Sequence, residues 1–328
     1  NGRRHAKGLD HRYHPLRWWW PLRFENVQPR FPTQQGSPHA ALDGRLSLMA
    51  SALISAADLA QRIKSGESVK LLDGTFYLPN EGKDAKALFE QAHIAGAQFF
   101  DIDAVCTPSD LPHTAPTPEI FATAVGALGI GAQDLVVVYD QKNLFSAPRV
   151  WWTFRMFGHD SVLVLNGGLP AWIAAGGDVV SGSASPQSVT YTPRGDFRST
   201  FLADKDDVQS ALDARQPVTD ARPAGRFTGA DKEPRAGMRS GHMPGATSVP
   251  LSTLVAHNGE MVAKSEIQTA FKDIDPESPI ITTCGSGVTA AGLSLSLHEI
   301  GLNSRVYDGS WSEWGRETSD GAVITGDS

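Results

Sequence analysis

The body of this chain repeats itself, and no other feature of the sequence constrains the architecture as strongly. Asp73 closes the apolar run 69–72, and Asp220 closes Val218-Thr219. His93-Ile94-Ala95-Gly96-Ala97 is matched by His242-Met243-Pro244-Gly245-Ala246. The run 135–139, ending at Asp140, is matched by 279–283, ending at Cys284. Asn166-Gly167-Gly168 with Trp172 is matched by Asp308-Gly309-Ser310 with Trp314. From 73 to 220, 93 to 242, 135 to 279 and 166 to 308 the offsets are 147, 149, 144 and 142 residues, in unchanged order. Such a period is far longer than the roughly 20–50 residues of a solenoid unit, so the chain carries a duplicated domain. Residues 181–200 are rich in Ser, Gly, Pro and Thr without an apolar period, which is linker composition. The expected division is therefore 49–180, a linker at 181–200, and 201–328.

Each copy alternates short β-branched apolar runs with helical patterns. In the second copy, helices are expected over 204–215, 265–271 and 288–300, with a last one opening at 311–314. Strands are expected at 218–220, 247–249, 279–283 and 305–307. Strands alternating with helices imply an α/β fold, a central parallel sheet covered by helices, in each copy. Ligands of such sheets bind beyond the carboxyl ends of the strands, which is where Cys284 falls.

Residues 1–48 differ from the rest. They hold eight Lys/Arg against three Asp/Glu, Trp18-Trp19-Trp20 in a row and five prolines, with no regular period. Met49 opens a segment that reads like an ordinary N-terminus. The segment reads as an artefactual or unprocessed extension; an Arg-rich targeting peptide and a nucleic-acid-binding arm are the alternatives. The whole chain has a formal net charge of −7, which argues against nucleic acid as a main partner. No run approaches the roughly 18 apolar residues of a membrane span, so no membrane role is expected. Two cysteines, Cys106 and Cys284, are too few for a disulfide framework and fit a reducing compartment. A cytoplasmic location is expected, or an organellar one if 1–48 is a targeting peptide.

The chemistry concentrates in Cys284-Gly285-Ser286-Gly287-Val288-Thr289-Ala290. An apolar strand stops at a thiol, two glycines permit a tight loop of inward-facing amides, and a helix begins near Val288 or Thr289. Helix N-termini and converging amides favour the thiolate, the form that acts as nucleophile. The loop occurs in only one of the two copies. Cys106 has none of these features and reads as structural. His242 has a counterpart, His93, in the copy without the loop, so a structural turn role is expected for it. The histidines are scattered without ligand spacing, and neither a metal nor an organic cofactor is expected.

The segment 284–290 together with Tyr307-Asp308-Gly309-Ser310-Trp311-Ser312-Glu313-Trp314 resembles the 3-mercaptopyruvate sulfurtransferases of the rhodanese superfamily. The similarity runs from about Ile54 to Arg316. It is supported by Ser146-Ala147-Pro148-Arg149-Val150-Trp151-Trp152, by Gly225-Arg226-Phe227 with Glu233-Pro234-Arg235, and by 241–246. The resemblance implies two tandem rhodanese-like domains, the first inactive. It implies sulfur transfer from 3-mercaptopyruvate through a Cys284 persulfide to a thiol, thioredoxin or cyanide, with release of pyruvate. Arg226 and Arg235 would bind the carboxylate and keto oxygen of the substrate, with Gly285, Gly287, Val288 and Thr289 around it. An Asp103–His113–Ser286 relay would assist, Ser286 polarising the substrate, His113 carrying the proton and Asp103 orienting the imidazole.

Where the similar thiosulfate sulfurtransferases usually carry a basic Cys-Arg-Lys-Gly loop, this chain has the small neutral Gly285 and Ser286. That favours an organic thiol whose carboxylate is held elsewhere. No arginine closes a longer loop, which disfavours the phosphate-ester chemistry of rhodanese-related phosphatases. Phe145 stands where a tyrosine often precedes Ser-Ala-Pro-Arg. Arg149 reads as a salt bridge to the domain interface rather than a substrate contact. Thiosulfate:cyanide sulfurtransfer and a non-catalytic sulfur-carrier module remain as rival readings.

Overall fold

The computed structural model describes residues 50–326 apart from 184 and 194. The expectation on residues 1–48 falls outside them. Two five-stranded sheets form, each parallel throughout. The first runs β1 (Leu53–Ile54), β6 (Val162–Leu165), β5 (Leu135–Tyr139), β2 (Val69–Asp73), β4 (Gln98–Phe99) across the sheet. The second runs β8 (Leu202–Ala203), β12 (Ser304–Tyr307), β11 (Ile280–Thr283), β9 (Val218–Asp220), β10 (Thr247–Ser248). Taken in that order, strand answers to strand, so the repeat read in the sequence is a repeat of topology.

The helices correspond in the same way. The first copy carries α1 (Ala56–Lys64), α2 (Ala85–Gln91), α3 (Pro118–Ala127), α4 (Ala147–Met156) and α5 (Gly168–Ala174). The second carries α6 (Lys205–Asp213), α7 (Ala224–Thr228), α8 (Lys264–Ala270), α9 (Ala290–Glu299) and α10 (Ser310–Trp314). Local chemistry explains their limits. Asp204 caps α6 by accepting from the Asp207 amide, and Asp207 returns a bond to the Asp204 amide. The helix expected over 288–300 begins two residues later, at Ala290. Gly287 is left-handed at φ +79°, so the chain is still turning there. Helix α7, unforeseen in the sequence, is one short turn stopped by left-handed Gly229.

His93 and His242 do the same work. Each is buried, bonds through Nδ1 to a carbonyl (Phe89 at 2.8 Å, Phe227 at 2.9 Å) and stacks on that residue's ring. Each also lies on an antiparallel pairing with the end of its own copy: β3 (His93–Ile94) with β7 (Val179–Val180), and His242 with Ile324. The segment from 181 to 198 forms no regular element among its described residues, yet it is fastened to the first copy. The Val189 amide donates to Gly126, and Tyr191 packs edge-on to Phe121.

Helices α4 and α9 bury nearly every side, because each packs on its own sheet and on the other helix. One apolar core thus runs through both copies, from Trp151 and Phe154 to Leu293 and Leu297. Polar clasps flank it. Buried Glu299 accepts from the Ala52 amide at 2.7 Å and the Ser51 hydroxyl at 2.9 Å. Asn166 Oδ1 accepts from the Met261 amide at 2.8 Å, and Asp308 Oδ2 accepts from the Ala115 amide at 2.6 Å. Asn166 and Asp308 are matching positions of the two copies.

In the first copy, Asp140 occupies the position of Cys284. Its buried carboxylate accepts from the amides of Lys142, Leu144, Ser146 and Ala147 at 2.8–3.1 Å, closing the loop and capping α4. Burial pushes this carboxyl upward and the four amides oppose it. Replacement of Asp140 by alanine leaves these donors without an acceptor. It should lower stability by about 2–4 kcal/mol in urea unfolding. A variant as stable as the parent would show that the loop re-satisfies its amides another way.

Candidate active site

The carboxyl ends of β9 and β11 open onto a cavity of about 440 Å³. Cys284 lies at its base, 2% exposed. Its amide donates to Ser310 Oγ at 3.3 Å and its carbonyl accepts from the Trp311 amide at 2.9 Å. Gly285 O accepts from the amide and hydroxyl of Ser312 at 2.9 and 2.6 Å. Helix α10 therefore anchors the first half of the loop through its carbonyls. Neither Ser286 nor Val288 makes a hydrogen bond to the protein among the described residues. Their amides are the second and fourth after Cys284. In the first copy, the second and fourth amides are two of those that bind Asp140. The active loop thus leaves unclaimed the donors that its counterpart spends on a carboxylate.

Three arginines line this cavity, Arg222, Arg226 and Arg235, and the last two are not equivalent. Arg226, on α7, donates from Nε and Nη2 to Glu233 at 3.2 and 2.5 Å. Glu233 also receives Arg222 Nη1 at 2.9 Å, and Arg222 grips Asp220 and stacks on Trp311. Burial works against the Arg222 charge, but Asp220 and Glu233 outweigh it and leave its pKa raised. Arg226 is thereby held by a buried charged lattice, and its Nη2 would lie 3.0 Å from a Cβ at Gly285. Arg235 has no ion-pair partner among the described residues; its Nη2 lies 3.2 Å from His113 Nε2. Burial lowers its pKa, and the charge of Cys284 is the largest influence in the other direction. A half-buried guanidinium without a carboxylate is a ready anion site.

His113 comes from the first copy, with a left-handed backbone at φ +59° and its ring edge-on to Phe76. Asp103 Oδ1 is 2.8 Å from Nδ1, an ion-pair distance, though off the line of the ring N–H. That contact holds the Asp103 carboxyl below the usual range, against its burial and with help from Arg235. A guanidinium only donates, so Nε2 accepts and the ring proton belongs on Nδ1, facing Asp103. The expected Asp103–His113 pair is assembled, but Nε2 meets Arg235 rather than Ser286.

Cys284, Gly285, Ser286, Val288, Thr289, Arg226 and Arg235 all line the cavity. Gly287, Asp103 and His113 stand behind it. Gly287 is a turn residue whose carbonyl receives Arg149 Nη1 at 3.3 Å. Arg149 makes the interface salt bridge expected of it, to Asp308 at 2.7 Å. Cys106 bonds to the Asp103 carbonyl, and burial pushes its thiol up. Sequence reasoning missed the opposite wall: Phe76, Leu78, Lys142 and Asn143 of the first copy, with Leu251 and Val255 of the second. It noted Phe145 only for the missing hydroxyl. Lys142, Asn143 and Phe145 follow Asp140, so the first copy's matching loop faces the cysteine loop across the cavity. No group of three or more His, Cys, Asp or Glu side chains is placed to hold a metal among the described residues.

The Rhodanese-like domain family matches residues 55–175 and 204–317. Over 274 residues the chain is 41% identical to 3-mercaptopyruvate sulfurtransferase of Mus musculus, covering 80% of this chain and 91% of that one. It is 38% identical to thiosulfate sulfurtransferase of Gallus gallus, covering 80% and 93%. The crystal structure of SseA from Escherichia coli, described among 3-mercaptopyruvate sulfotransferases, superposes with a TM-score of 0.71 at 36% identity, covering 80% of this chain and all of that one. Two copies of one topology, each matched over its own length, make this chain a tandem-domain member of the rhodanese family.

Proposed function

We propose that the chain transfers sulfur from 3-mercaptopyruvate. The observation that carries this reading is Cys284, buried beneath unclaimed loop amides and sharing a cavity with an arginine that no carboxylate neutralises. Arg235 takes the substrate carboxylate, and Arg226, already partnered by Glu233, presents its edge to the keto oxygen. The Cys284 thiolate attacks the substrate sulfur. The carbon–sulfur bond breaks, its electron pair passes to the adjacent carbon as the pyruvate enolate, and protonation there releases pyruvate. Cys284 then carries the outer sulfur as a persulfide, facing the Ser286 and Val288 amides. Ser286 Oγ, open to the cavity, polarises the substrate. His113, oriented by Asp103, aims Arg235 and serves as proton carrier. A thiol, or thioredoxin, attacks the outer sulfur and restores the thiolate; cyanide does so in an assay.

Thiosulfate is the second donor to be weighed, since the Gallus gallus relative is named for it. The neutral Gly285 and Ser286 favour the organic donor. No helix among the described residues is long and apolar enough to cross a membrane. Cytoplasmic residence, with an organelle as alternative, remains our reading of the cysteine count and of residues 1–48, and cell fractionation tests it.

Intact mass after mixing with 3-mercaptopyruvate should show one added sulfur atom, retained in Cys106→Ser and absent from Cys284→Ser. Sulfur uptake by Cys284→Ser would remove the assigned nucleophile. A further expectation concerns donor choice. Arg235→Gln should reduce kcat/KM for 3-mercaptopyruvate by about 10–150-fold, the worth of a charged hydrogen bond, and for thiosulfate by less. Arg226→Gln should also lower stability, because it strips a partner from buried Glu233. Equal losses for both donors in Arg235→Gln would leave a general electrostatic effect in place of a carboxylate clamp.

A further inference from the structure

The two copies also differ at the start of the helix that follows the cysteine loop or its counterpart. Helices α4 and α9 each begin just beyond the loop that follows the fourth strand of its copy. Arg149 is the third residue of α4, and Gly292 is the third of α9. At Gly292 a Cβ would lie 2.7 Å from the Leu251 methyls. Arg149 crosses to the cysteine loop of the other copy. It is 3% exposed. Its Nη1 donates to Gly287 O at 3.3 Å, and its Nη2 donates to His113 O at 2.6 Å and Asp308 Oδ1 at 2.7 Å. Its guanidinium lies 4.5 Å over Trp152.

Resting on the sulfurtransfer reading above, we propose that Arg149, held by Asp308, is a positioning residue for the Cys284 loop. It touches no part of the cavity. One guanidinium instead ties together the turn that orients the Val288 amide, the backbone of the residue that aims Arg235, and the carboxylate behind both. The structure allows no easy substitute. A side chain at Gly287 would meet Arg149 Nη1 at 3.0 Å and Asp308 O at 3.1 Å, so the glycine and the arginine fit only together. Asp308 differs from its counterpart Asn166 in just this respect. Both accept an amide from the opposite copy, but Asp308 has a second oxygen, and that oxygen takes Arg149. The copy without the reactive cysteine loop therefore contributes to the chemistry by holding the other copy's loop in register.

Steady-state and single-turnover pyruvate release distinguish this role from mere stabilisation. Arg149→Met should lower kcat by about 10–100-fold with KM changed by less than about threefold, since sub-ångström misplacement of reacting groups is felt in kcat. Asp308→Asn, which keeps the Ala115 contact and weakens the hold on Arg149, should lower kcat by about 3–10-fold in the same sense. Asn166→Ala is the control, as it breaks the matching interface contact, to Met261, and bonds no residue of the Cys284 loop; it should lower Tm and leave kcat unchanged. The idea is overturned if the Arg149 and Asp308 variants lose no more kcat than Asn166→Ala at equal loss of Tm. It is equally overturned if KM rises while kcat holds, because Arg149 would then be a substrate contact. Should Arg149→Met fail to fold, Asp308→Asn alone decides, an unchanged kcat counting against. If the parent protein releases no pyruvate, the sulfurtransfer reading fails instead, and the two failures are told apart.

Discussion

Two helices that bury nearly every side, against their own sheets and against each other, hold this structure together. An ordinary surface helix shows water one polar face, and α4 and α9 have almost none to show. Each therefore depends on the other copy, and the core on the helix side of each sheet is shared between the copies, while the other face of each sheet packs within its own copy. The arrangement also fixes where chemistry can occur. Each helix starts at the loop that ends the fourth strand, so packing the helices together brings the two loops to opposite walls of one cavity.

Those two loops share a plan and put it to opposite uses. In the first copy a carboxylate consumes the loop amides and the backbone is locked, even through left-handed Asn143 and Leu144. In the second, a thiol stands in the same place and amides remain free. A locked loop makes a firm wall, and a loop with spare donors makes a site for developing negative charge. The duplicated domain has thus divided its labour by the identity of one residue, Asp140 or Cys284, and by what that residue leaves unsatisfied.

Charge around the cavity follows the same economy. Four charged groups, the buried side chains of Asp220, Arg222 and Glu233 and the partly exposed Arg226, neutralise each other in a row that ends on α7. Arg235 stands outside the row, next to a histidine whose own orientation depends on Asp103. Desolvation penalises an unpaired guanidinium, and an anionic ligand relieves the penalty.

Much of this was legible in the sequence because it is written locally. The repeat appears in landmarks a few residues long, the cysteine loop in its glycines and its place after an apolar run, and the arginines in one short charged loop. Strand 218–220 falls where its short β-branched run put it, while helix 288–300 begins two residues late, beyond a left-handed glycine. The far wall of the cavity, the split between a paired Arg226 and an unpaired Arg235, and the meeting of His113 with Arg235 were not legible. His113 and Arg235 are 122 positions apart and the far wall draws on both copies; Arg226 and Glu233 are only seven apart, but no periodicity says which of two arginines in one loop takes the carboxylate. By itself the sequence determined two α/β copies and one copy with a reactive loop, since both follow from short-range pattern and backbone chemistry. Only the tertiary structure decided that the copy lacking Cys284 supplies one wall of the cavity and that its Arg149 and His113 meet Gly287 and Arg235, because that depends on how two buried helices pack and which side chains the packing brings within hydrogen-bond reach.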